Sequence, residues 1–136
     1  MTSIAVDRPA ADAFAFVSDP QKLNRWSFGT WETEIAPDGL IRGVSLFDGA
    51  AIYVRIDPDA VRRSVDYHIG PTPQRLTPRI VARVTPGPHV GLTEAQSVVS
   101  MITWRGADMD DLRWRKLTAT HEMEIVLLKS LIEGAT

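Results

Sequence analysis

From Asp108 to about Glu133 the chain runs without a proline or glycine until Gly134, and this stretch most constrains what the sequence can fold into. Its apolar residues return at helical spacing. With Leu117 at the centre of one face and about 100° per residue, Leu128 lies about 20° away, Leu131 about 40° and Ile132 about 60°. Arg115, Glu122, Lys129 and Ser130 fall on the opposite side. Asp108 is read as the N-cap, Asp110 opposes the positive end of the helix dipole, and Gly134 is a suitable stop. At 1.5 Å per residue such a helix is on the order of 38 Å long. A rod of that length with one apolar stripe needs a broad surface to lie against.

The preceding residues supply one. Residues 2–7 form a short β-type stretch, and Pro9 opens a helix over Ala10–Val17 that buries Ala10, Ala13, Phe14 and Val17. Ser18-Asp19-Pro20 breaks it, and a second short helix runs from Gln21 to Asn24 or Arg25 with Asp19 as N-cap. From Thr30 the pattern becomes strands at 30–36, 40–47, 50–57, 61–69, 78–85 and 94–104. Asp38-Gly39, Asp48-Gly49 and Pro58-Asp59 mark tight turns, and Pro/Gly-rich loops cover 70–77 and 86–92. In 61–69, Val61, Arg63, Val65, Tyr67 and Ile69 share a face, opposite Arg62, Ser64, Asp66 and His68. In 78–85, Arg79 and Arg83 oppose Ile80, Ala82 and Val84 and are read as exposed. The order β-α-α-β6-α predicts an α+β fold: a curved antiparallel sheet of about seven strands, in meander order, wrapped around the terminal helix.

Composition narrows the function. A length of 136 residues, 44% of them hydrophobic, suits one domain spanning 1–136 with a core of its own. The absence of cysteine excludes a disulfide framework, a thiol nucleophile and thiolate metal sites. A net charge of −2 gives no basic signature, so no nucleic-acid partner is expected. The opening residues lack a basic region followed by an apolar run, and no segment approaches the ~18 apolar residues of a membrane span. A soluble, cytoplasmic protein without stable membrane insertion is the expectation. Glycine-rich phosphate loops are absent, and no serine sits in a nucleophile elbow. His68, His89 and His121 are far apart, and His121-Glu122-Met123-Glu124 lacks the second histidine of the zinc helix motif. No cofactor and no metal are expected.

The opening of the chain carries a resemblance. Ile4-Ala5-Val6-Asp7-Arg8-Pro9-Ala10, then Phe14 and Val17, Ser18-Asp19-Pro20 and Asn24-Arg25-Trp26, resemble the strand, proline-started helix and break of the START-like superfamily (SRPBCC; Bet v 1-like, polyketide cyclase and lipid-transport proteins). The element order agrees over nearly the whole length. The resemblance implies a helix-grip fold with a hydrophobic cavity between sheet and helix. Members bind lipids, polyketides, hormones or other apolar molecules, and a minority catalyse cyclisation, dehydration or hydrolysis. The superfamily has no shared catalytic motif, so none is carried over.

Cavity residues are therefore argued from this chain. Trp26 would fill the mouth between helices and sheet. Tyr67, Met101, Leu117 and Leu128 are candidate ligand contacts by their place on inward faces. His121 and Glu124 are the anomaly, because they lie on the apolar stripe and burying an unpaired charge is expensive. They either pair with each other or with a strand arginine, line a polar spot in the pocket, or are exposed on a helix rotated from this reading. Asp110 and Arg113 are read as rim residues near the helix start. The expected function is binding of a hydrophobic small molecule, lipid-, polyketide- or isoprenoid-like, as carrier or sensor. One alternative is a polyketide cyclase/dehydratase-like enzyme with His121 and Glu124 as acid and base. A second is a protein-interaction module or homodimer using the outer sheet face and Trp104.

Overall fold

The computed structural model describes residues 1–134. Strand β1 (Thr2–Val6) leads to helices α1 (Ala10–Val17) and α2 (Leu23–Trp26). Six strands follow: β2 (Trp31–Ile35), β3 (Ile41–Val44), β4 (Ala51–Asp59), β5 (Ser64–Gly70), β6 (Thr77–Pro86) and β7 (Ser97–Thr103). A single 3-10 turn, Gly87–Val90, bridges the last two strands, and helix α3 (Asp111–Gly134) ends the chain. The sheet has seven strands in the order β1-β7-β6-β5-β4-β3-β2, every neighbouring pair antiparallel. This is the helix-grip arrangement expected from the alternation and turns. The six later strands form a meander, and β1 adds to it by pairing with β7, from Thr2↔Met101 to Val6↔Ser97.

The turns work as their residues require. Gly39 and Gly49 have φ of +90° and +74°, the left-handed conformation that glycine adopts without strain. Gly70 answers a different need: a Cβ there would stand 1.8 Å from the Arg75 carbonyl oxygen. The core joins Val6, Ala13, Val17 and Leu23 to the inner sheet residues Ile41, Val54, Val65, Ala82, Val84, Val99 and Met101, and to Ile125, Leu128 and Ile132 of α3.

Several local expectations are corrected. The N-cap of α3 is Asp110 rather than Asp108: its Oδ1 accepts the Arg113 N–H at 2.7 Å and its carbonyl accepts the Trp114 N–H. Gly106 and Met109 form a turn before it, so the helix begins later. Asp19 bonds the Gln21 N–H at 2.9 Å but closes a turn, and α2 starts only at Leu23. The turn expected at Pro58-Asp59 falls at residues 60–63, because the Asp59 carboxylate accepts the N–H groups of Val61 and Arg62. Val61 is therefore 90% exposed and Arg63 adopts φ +51°, so neither belongs to the inward face of β5. On α1 the buried aromatic is Phe16, with Phe14 half-buried. The buried stripe of α3 holds His121, Glu124, Ile125, Leu128 and Ile132, while Leu117 and Leu131 flank it. The stripe is centred about 40° from Leu117 at helical spacing.

Candidate functional site

A cavity of about 1050 Å³ lies between the inner face of the sheet and the N-terminal half of α3. Trp26 and Leu23 of α2, Val54 of β4, Tyr67 and Ile69 of β5, Ile80 of β6, and Leu117, His121 and Glu124 of α3 all line it. The loops after α2, β3 and β5, together with the segment before α3, form its rim.

Trp26 and Tyr67 make one corner. Their rings meet edge to face, with centroids 5.8 Å apart and planes at 74°. The Tyr67 hydroxyl donates to the Val17 carbonyl oxygen, which ties β5 to the end of α1. Burial pushes the phenol pKa well above its ordinary value, and the nearby Glu124 carboxyl acts in the same direction. Tyr67 is thus a fixed, neutral wall group.

Glu124 and His121 make the polar spot, at only 3% and 4% exposure. Glu124 Oε2 accepts the Phe28 N–H at 2.9 Å, pinning the α2–β2 loop to α3. Its Oε1 lies 3.8 Å from His121 Nε2, and His121 Nδ1 has no hydrogen-bond partner among the described residues. Burial raises the Glu124 pKa to about 8, the Phe28 bond only partly opposing it, and burial lowers that of His121 to about 4. At neutral pH the pair is a carboxylic acid beside an uncharged imidazole, too far apart for a direct hydrogen bond. Among the described residues no arginine lies within ion-pair distance of either. The pair offers one acidic proton and one basic nitrogen at the edge of a largely apolar space. Such groups can orient a ligand carbonyl or hydroxyl, or hand a proton to it.

The other candidates separate. Leu128 is fully buried in the core beneath the C-terminal half of α3, away from the cavity wall. Met101 is core as well and borders a separate space of about 140 Å³ with Thr103, Thr118 and His121. Asp110 and Arg113 are exposed on the rim. Arg79, read from alternation as an exposed residue, lines the cavity. Neither that nor the Phe28–Glu124 bond leaves a mark in the sequence: one depends on a local slip in strand register, the other joins residues 96 apart. Among the described residues no three His, Asp or Glu side chains cluster as a metal site would need, and no helix is long and apolar enough to cross a membrane.

No protein-family model and no curated protein sequence matches the chain. Solved structures do. A START superfamily protein from Mycobacterium smegmatis superposes with a TM-score of 0.64 over 99% of this chain and 97% of its own, at 15% identity. The fold is START-like. The Zhui aromatase/cyclase from a Streptomyces species shares this START-like fold, with a TM-score of 0.61 over 98% of this chain and 89% of its own at 19% identity. So does the di-domain ARO/CYC BexL, at TM-score 0.69 and 20% identity, where 97% of this chain covers 45% of the larger protein. At such identities the likeness is one of fold.

Proposed function

We propose that the chain binds a hydrophobic small molecule, lipid-, polyketide- or isoprenoid-like, between its sheet and α3, as a carrier or sensor. The observation that carries this reading is the cavity of about 1050 Å³, whose wall sets Trp26, Tyr67, Ile80 and Leu117 among polar side chains such as Thr30, Arg79, His121 and Glu124. That mixture, apolar area for affinity with polar groups for orientation, is what small-molecule sites are made of. Native mass spectrometry of the purified protein tests for a co-purifying ligand. Titration with the neutral apolar dye N-phenylnaphthylamine tests the cavity directly: saturable fluorescence is expected, with affinity at least ~10-fold weaker in Leu117→Trp, because an indole fills the space a ligand would take. Unsaturable binding, or equal binding by the variant, sinks the reading.

A second reading follows from the His121–Glu124 pair. A neutral acid and a neutral base 3.8 Å apart on a cavity wall, in a fold also used by aromatase/cyclases, support a cyclase/dehydratase-like enzyme. Glu124→Gln keeps an acceptor for the Phe28 N–H and removes the acidic proton. Conversion of a bound ligand that continues unchanged in Glu124→Gln and in His121→Ala rules this reading out.

A further inference from the structure

Arg79 is the residue that departs most from its expected place. Tyr67 pairs with Ile80, but the next residue, His68, pairs with Pro78, so Arg79 is the extra residue of a β-bulge in β6. A bulge puts two residues opposite one and re-aims a side chain that simple alternation would send to the other face. Arg83, four residues on, keeps the exposed side. Arg79 is half-buried and lines the cavity beside Ile80. The Thr103 hydroxyl donates to its carbonyl at 3.2 Å, and among the described residues its Nη2 reaches only the Met109 sulfur, at 3.8 Å. A Cβ at Gly106 would stand 2.8 Å from Asp108 Oδ1 and 3.4 Å from Nη2, so the Asp108 carboxylate lies near Arg79 without pairing with it.

What the guanidinium lacks is an anion. Among the described residues no carboxylate lies within 4.0 Å of it. Of the acids beside it on that rim, Asp108 pairs with Arg113 at 3.6 Å and Asp110 caps α3 through the Arg113 N–H at 2.7 Å. Of the other cations on the wall, Arg75 and Lys116 are exposed. A half-buried guanidinium beside apolar surface is best satisfied by an anion that matches its fork.

We propose that Arg79 receives the carboxylate of the ligand, so that the cavity takes a monocarboxylic acid with an apolar tail. The inference rests on the ligand-binding reading above and adds the end group to it. Calorimetric titration with decanoic acid, decanol and decyl phosphate at neutral pH separates the two. The wild type is expected to favour the acid over the alcohol by at least ~10-fold, as a charge-assisted bond provides. Arg79→Gln should lose that preference, Arg79→Lys should keep an intermediate one, and Arg83→Gln should keep all of it. Equal wild-type binding of acid and alcohol, or an acid preference surviving in Arg79→Gln, overturns the inference and leaves the cavity reading standing. A preference for the phosphate that depends on Arg79 overturns the choice of carboxylate. Binding of none of the three removes both.

Discussion

The two halves of α3 share one backbone and one apolar stripe but do different work. Toward its C-terminus Ile125, Leu128 and Ile132 are buried in the core, and Lys129 donates to the Ala5 carbonyl of β1 while Glu133 accepts the Asp7 N–H. Toward its N-terminus Leu112 is exposed, and Leu117 and Lys116 border the cavity rather than a packed layer. His121 and Glu124 sit at the junction. One end grips the sheet, and the other stands away from it as a wall. A helix can therefore be amphipathic along its whole length while only half of that stripe is structural.

The largest effect should come from the gripping half. Leu128→Ala is expected to lower unfolding stability by about 3 kcal/mol in urea titrations, because a fully buried leucine leaves a cavity behind. Leu117→Ala, on the wall, should cost about 1 kcal/mol or less, since little packed area is lost. Equal losses would erase the distinction between the halves.

The junction should appear in the pH dependence of stability. The Glu124 carboxyl titrates near 4.5 when free and near 8 in the fold, so between those values the folded state holds a proton that the unfolded chain releases, and stability falls as pH rises. His121 runs the other way: its pKa drops from 6.5 to about 4, so stability rises with pH across that window. The two oppose each other up to about 6.5, and above it Glu124 acts alone. A stability plateau between about pH 4.5 and 6.5 is expected, followed by a loss of about 1 kcal/mol by pH 8, the limiting slope for one proton being about 1.4 kcal/mol per pH unit. Glu124→Gln should flatten that descending limb. A descent that persists in the variant would place its origin elsewhere.

The smallest expected effect concerns the wall's free end. Asp110→Ala should cost about 1 kcal/mol through loss of the cap, and Asp108→Ala only a few tenths, because its pair with Arg113 is exposed. The reverse ranking would mean that the helix starts where the spacing alone suggests.

Much of this was legible in the sequence, for physical reasons. Strand alternation and the Asp-Gly turns are local signals, and they give the meander; the uninterrupted run from Asp108 gives the long helix. His121 and Glu124 stood out because charged residue types are rarely spent on an apolar stripe. Arg79 was illegible because a single inserted residue reverses the face of a side chain while leaving the strand's composition unchanged. The rotation of α3 by about 40° escaped for a similar reason, since periodicity fixes spacing but tertiary packing fixes which residue points inward. Leu128 shows the limit of a ligand-contact reading made from a stripe: the stripe was real, but at that level it meets core.

The pairing of β1 with β7 also has a bearing on how the chain comes together in time. β1 precedes its ladder partner, Ser97–Thr103, by most of the sheet, and the bond from Asp7 to Glu133 spans 126 residues. During synthesis β1 has no ladder partner until β7 has emerged. Contacts of such long range carry the full entropy of loop closure before they return any stabilisation, and topologies dominated by them fold slowly. The clasp between Asp7 and Glu133 that fastens α3 to the sheet thus closes only after the strands between them exist.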